Sequence, residues 1–226
     1  MRKVQQPRRM TAEVIASLID ALQRGEAPPN TRLAEEALAT QLGTSRVPVR
    51  EALAHLVAKG LLEKRGHQVY VPALGYKELR EIYLARQALE TVLLREAVNT
   101  ATDADVTALV RVHDSHAKAM EREATGQLSK LNRKFHFEFF RVADMPILLA
   151  INENLWDRSE YYRAFFALDE EKRRVTFGEH AEMVQAFADR DADRLVALHD
   201  AHREWLLRKD WPWMQKDENN FEEAAS

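Results

Sequence analysis

The chain has 226 residues, enough for one large domain or two modest ones, and its 46% hydrophobic content suits a globular protein with a real core. It contains no cysteine, which excludes disulfide scaffolds, thiolate zinc sites and cysteine nucleophiles and makes a reducing cytosol the expected setting. The net charge of −3 conceals an asymmetry: residues 1–75 carry 11 Lys/Arg against 7 Asp/Glu, and the remainder carry 22 against 29, as expected of a nucleic-acid module joined to one of another kind.

The basic opening MRKVQQPRRM is followed by no apolar h-region, so it does not read as a secretory signal. No apolar run approaches the roughly 20 residues of a membrane helix, and a soluble protein is expected. Met10, Val14, Leu18, Ile19 and Leu22 recur at helical spacing up to Gly25 and the turn APPNTR. A second helix is predicted from Leu33 to Leu42, with Leu33, Ala37, Leu38 and Leu42 inward, stopping at Gly43. Thr44 or Ser45 caps a third, which tolerates Pro48 in its first turn, turns Val49, Leu53, Leu56 and Val57 to one face and ends at Gly60. Between Leu61 and Val71 the period changes, and a turn at Arg65-Gly66 predicts a two-stranded hairpin.

Pro72 and Gly75 then mark a domain boundary, giving units 1–75 and 76–213 and a frayed tail at 214–226. The second unit is expected to hold about six helices, divided by Gly126, Pro146 and Gly178. Thr102 and Asp105 have the spacing of a capping box, with Asp in place of the usual Glu. The fold class is therefore mainly α: an N-terminal winged helix-turn-helix and a C-terminal antiparallel all-helical bundle.

The third helix has the chemistry of a recognition helix. Ser45, Arg46 and Arg50 stand at its N-terminal end, the two arginines one turn apart and clear of the apolar stripe. Arginine offers a fork matching the O6/N7 pair of guanine, and a helix start with a serine suits phosphate. The wing tip Lys64-Arg65-Gly66-His67 is placed to follow the backbone or enter the minor groove. The alternative is a protein-binding winged helix in which Arg50 merely pairs with Glu51 or Glu36.

Asn132, His136, His180 and His202 invite a metal reading. Asn132 and His136 share a helix face, His180 is read as opening a helix after Gly178, and His202 lies on the next helix. Three imidazoles and an amide oxygen suit a divalent ion, whether zinc, nickel, manganese or iron. Unrelated histidines are the competing reading, and His113/His116 and His199/His202 offer other pairs. No Glu-x-x-His occurs, which argues against a di-iron carboxylate enzyme. Arg86 either pairs with Glu90 on the surface or faces the core to receive a carboxylate. Phe135, Phe137, Phe139, Phe140, Tyr161, Tyr162, Phe165 and Phe166 are assigned to core and dimer packing.

The stretches TRLAEEALA (31–39) and LGTSRVPVREAL (42–53), with Gly60-Leu61, resemble the GntR family of bacterial regulators. Asn30 and Thr44 depart from that pattern, standing where the family usually has Gly and Val. RQALE (86–90), NRKFH (132–136), Glu179-His180 with Met183, Ala186 and Phe187, and the Asp191–His202 spacing resemble the FCD sensor domain of the FadR subgroup. The turn Ala143-Asp144-Met145-Pro146 departs from it. The resemblance implies a transcription regulator, expected to be a repressor and not an enzyme. It further implies a homodimer on a palindromic double-stranded DNA operator, with a divalent metal held by Asn132, His136, His180 and His202 and a small carboxylate effector. Metal as the signal itself, or a metal-dependent enzyme, are the alternatives.

Overall fold

The computed structural model describes residues 7–24, 26–73, 76–122, 125–166 and 170–204. The expected tail at 214–226, the linker positions 74 and 75, and the side chains of Tyr161, Tyr162, Phe165 and Phe166 lie outside the described residues. The chain divides into two compact units, residues 1–74 with 160–164 and the remainder.

The first unit contains α1 (Pro7–Gln23), β1 (Arg32–Leu33), α2 (Glu35–Gln41), α3 (Arg46–Ala58), β2 (Glu63–Arg65) and β3 (Gln68–Tyr70). Val14, Leu18 and Leu22 are buried at four-residue intervals along α1, which packs on α3. Val49, Ala52, Leu53 and Leu56 form the buried face of α3, while Val57 is half-buried.

The second helix departs from its predicted form. Leu33 lies in a strand, paired with Val69, and α2 begins two residues later with Ala34 as N-cap. The sheet accordingly has three antiparallel strands in the order β1-β3-β2, not two. A ladder partner on β3 outweighs the helical spacing of Leu33, a tertiary contact that local period does not register. Within α2 the buried residue is Ala39, with Leu38 half-buried, Leu42 half-buried at the C-cap and Ala37 exposed, so the inward face differs from the predicted one. Asn30 occupies the left-handed region at φ 64°, which an L-residue other than Asn or Asp seldom adopts, so its family departure from Gly is a conservative one. Its N–H donates to Val71 O at 2.9 Å, tying the turn before β1 to the end of the wing.

The second unit has six helices among the described residues: α4 (Tyr76–Thr100), α5 (Asp103–Glu121), α6 (Thr125–Val142), α7 (Pro146–Phe166), α8 (Glu170–Ala188) and α9 (Ala192–Glu204). The capping box at α5 is formed: Asp105 N–H donates to Thr102 Oγ1 at 3.3 Å, and Thr102 N–H to Asp105 Oδ2 at 2.7 Å. Pro146 opens α7, after a turn in which Asp144 has φ 49°. Gly178 was expected to end a helix, yet it lies inside α8, and His180 sits mid-helix rather than at a start. The roughly 1 kcal/mol that an interior glycine costs is absorbed by the packing of the rest of α8 against α5 and α9.

α6 is the central helix. Phe135, His136, Phe137, Phe139 and Phe140 are all at most 1% exposed, so both sides of this segment are covered. Leu93, Leu94 and Ala97 of α4, Leu109 of α5, Trp156 of α7, Met183 and Phe187 of α8 and Leu195 of α9 complete the same core.

Candidate functional site: a basic helix end and a buried histidine cluster

At the start of α3 the residues singled out from sequence stand together at the surface. Ser45 is the N-cap, exposed, with no side-chain capping bond. Arg46 and Arg50 are exposed on the outer face, and Glu35 at the start of α2 reaches both. Arg50 donates to that carboxylate through Nε at 3.1 Å and Nη2 at 2.9 Å, and Arg46 Nη2 lies 3.8 Å away. The hydrogen bond from Arg50, aided by the nearby charges, holds the Glu35 carboxyl below the usual carboxylate range. The sequence reading offered Glu51 or Glu36 as the partner of Arg50; Glu35 is the partner, and Glu51 accepts from Thr11 Oγ1 instead.

On the wing, Gly66 has φ 61°, which allows the tight β2–β3 turn, and His67 is exposed beside it. Arg65 pairs with Glu63, donates to Asn30 Oδ1 at 2.7 Å and covers the Tyr70 ring at 4.9 Å. Each contact leaves these cations at the surface, where exchange for phosphate oxygens is inexpensive.

The second cluster is buried. His136 on α6, His180 on α8 and His202 on α9 bring one ligand nitrogen each within 4.8 Å of the others. Imidazole nitrogens about 2 Å from a shared ion stand roughly 3–4 Å apart, so modest side-chain adjustment closes the set. His180 is stacked on Phe135 with ring centroids 4.2 Å apart, which fixes its plane. His202 Nδ1 is 2.6 Å from Glu179 Oε2, and His136 Nδ1 is 3.2 Å from His199 Nε2. In both rings this makes Nε2 the candidate ligand atom, the outer nitrogen being held as outer-sphere partners hold metal-binding imidazoles. Asn132, one turn before His136, is 8% exposed, and its Nδ2 has no hydrogen-bond partner among the described residues. The donor set and its burial fit a borderline divalent cation.

Behind His136 runs a buried charged network. Arg203 Nη1 donates to His199 Nδ1 at 3.2 Å and to Glu90 Oε2 at 2.6 Å. Arg86 Nε donates to Glu90 Oε1 at 2.9 Å and its Nη1 to Ser159 Oγ at 3.0 Å. Its guanidinium lies 4.0 Å from the Trp156 ring. The Arg86–Glu90 pair was expected on the surface if it formed; it forms in the core, both residues being at most 2% exposed. Glu90's second partner, Arg203, was not foreseen, because a charged residue near a chain end reads as solvent-facing. The signal available was its spacing, four residues after His199 on one helix face.

His116 of α5 lies against the cluster, its ring centroid 5.7 Å from that of His180. Burial, reinforced by the neighbouring His113, pushes its pKa down to about 4, so it is neutral at physiological pH.

A helix-turn-helix with a wing and exposed arginines at the start of its third helix, followed in sequence by a helical bundle with a polar heart, is an architecture of DNA-binding regulators. Comparison with known proteins agrees. The profile of "Bacterial regulatory proteins, gntR family" matches residues 10–69 and that of the FCD domain residues 81–204. The HTH-type transcriptional regulator McbR of Escherichia coli K12 is 35% identical over 150 residues, 66% of this chain and 68% of McbR. The Nta operon transcriptional regulator of Aminobacter aminovorans is 30% identical over 175 residues, 77% of this chain and 81% of that protein. The HTH-type transcriptional repressor RspR of Escherichia coli K12 is 25% identical, covering 77% of each chain. The solved structure of E. coli McbR/YncC superposes with a TM-score of 0.77 at 28% identity, covering 87% of this chain and 94% of that one. The chain belongs to the GntR family of bacterial transcription regulators, with an FCD domain as its second module. It is a transcription regulator and not an enzyme, and among the described residues no helix is long and apolar enough to cross a membrane.

Proposed function

We propose that the protein is a cytoplasmic, homodimeric repressor of the FadR subgroup, whose affinity for a palindromic operator is set by a small carboxylate bound beside a divalent metal. Residues 1–75 carry recognition. Arg46 and Arg50 read base edges, Ser45 takes a phosphate at the helix start, and Arg65, Gly66 and His67 follow the groove from the wing. Two-fold symmetry of the dimer supplies two recognition helices to two half-sites. A relative named as a repressor supports the sign of the effect.

Residues 76–213 carry sensing. The observation that carries this reading is the convergence of His136, His180 and His202 within 4.8 Å in the core. Asn132 completes the set through its amide oxygen, which brings no charge and so weakens the hold on a cation relative to an aspartate. A divalent ion bound there supplies positive charge and open positions for a carboxylate oxygen. Arg86 orients the effector through Nη2, the terminal nitrogen not engaged by Glu90 or Ser159. Effector binding alters operator affinity only through a difference in its affinity for two states of the protein. A second reading, metal as the signal itself, draws on the fact that Arg86 is already paired in the core; chelation alone would then change operator binding.

The test is metal analysis by mass spectrometry on the purified full chain and on the His136→Ala/His180→Ala double variant. About one ion per chain, lost in the variant while its helical circular dichroism persists, is the expected result. No metal after reconstitution with zinc, nickel and manganese overturns the ligand assignment and leaves the DNA-binding module standing.

A further inference from the structure

Asn152 of α7 is fully buried, and neither atom of its amide has a hydrogen-bond partner among the described residues. Folded proteins keep few such groups, because a desolvated amide without partners opposes folding and a γ-branched apolar side chain does not. The side chain lies one helical turn before Trp156 and two before Ser159, all three buried, so they share one face of α7. That face meets the sensor cluster: the Trp156 ring centroid is 5.3 Å from that of His136 and 4.0 Å from the Arg86 guanidinium, and Ser159 Oγ accepts from Arg86.

We propose that Asn152 is a ligand-reading residue of the sensor chamber, its amide engaging a hydroxyl on a small hydroxycarboxylate effector. The choice of group follows from the amide itself. A carboxylate satisfies only its N–H and an ammonium only its oxygen, whereas a hydroxyl both donates and accepts. The carboxylate end of the same molecule is taken on the histidine side. Asn152 is thereby a specificity residue, and the inference rests on the carboxylate-sensing reading above.

Matched acids that differ by one hydroxyl, malate against succinate and lactate against propionate, are titrated calorimetrically into the zinc-loaded full chain and into its Asn152→Leu variant. The wild type is expected to prefer one hydroxy acid over its partner by at least about tenfold, as sites built around a hydroxyl do. The variant retains its zinc, binds the plain acid as before and loses the preference. Its melting temperature without metal or acid is unchanged or higher, since an unpartnered amide has been replaced by an apolar group. Equal binding of both acids by the wild type, or a preference that survives in the variant, overturns the inference and leaves carboxylate sensing intact. A fall of about 10 °C in the variant assigns Asn152 a structural role and overturns it too. Failure of the zinc-loaded wild type to bind any of the four acids overturns both readings.

Discussion

Two glutamates in this protein each hold two arginines, in opposite surroundings. Glu35 reaches Arg46 and Arg50 at the surface of the first unit, and Glu90 holds Arg86 and Arg203 at the heart of the second. Glu35's side chain is 30% exposed and those of its arginines about twice that, whereas Glu90 is 0% exposed. The same three groups thus do different work. In water the trio contributes little energy and stays exchangeable, as the proposed role of its arginines at DNA requires. In the core the charges have been stripped of water, and each depends on the others for compensation.

Paired deletions break or sharpen this contrast. Glu90→Ala strands two buried guanidiniums and is expected to lower stability by about 3–5 kcal/mol in urea denaturation, against less than about 1 kcal/mol for Glu35→Ala. Comparable losses at the two sites would mean that burial does not separate them. Arg46→Ala should leave the fold intact and weaken specific operator binding by roughly 1–3 kcal/mol, with relaxed base preference, in fluorescence anisotropy. Unchanged operator affinity would show that α3 is not the reading helix.

The smallest effect concerns His116, whose folded pKa of about 4 lies below the ordinary value of 6.5. The unfolded chain therefore binds a proton that the folded one refuses, and stability falls as pH drops from about 6.5 toward 4. Between about pH 7 and 5.5 the wild type should lose about 1 kcal/mol more than His116→Leu. Parallel pH profiles for the two proteins would show that His116 is not held neutral by burial.

Sequence legibility follows the same division. Local signals sufficed for the first unit, because glycine stops, the Arg46–Arg50 spacing and the wing turn are encoded within a few residues. They failed at Leu33, where a strand thirty-odd residues away supplies the partner. In the second unit helix count, the capping box and the three converging histidines were readable, the histidines only with the family resemblance. The Glu90–Arg203–His199 chain was not, since hydropathy marks charged side chains as outward and nothing local announces their mutual compensation across α4 and α9. Asn152 was equally silent, a polar residue in a helix whose period says nothing of unmet hydrogen bonds.

The central placement of α6 bears on how this protein opens. A helix whose aromatic run is covered on both sides exchanges its amide hydrogens only when the surrounding bundle comes apart, not by fraying. His136 is mounted on that helix, so anything bound there by the folded chain and not by the unfolded one adds to the stability of the bundle. Occupancy of the cluster is then linked by mass action to the stability of the whole second unit, and a bound ligand slows exchange throughout it rather than in one loop.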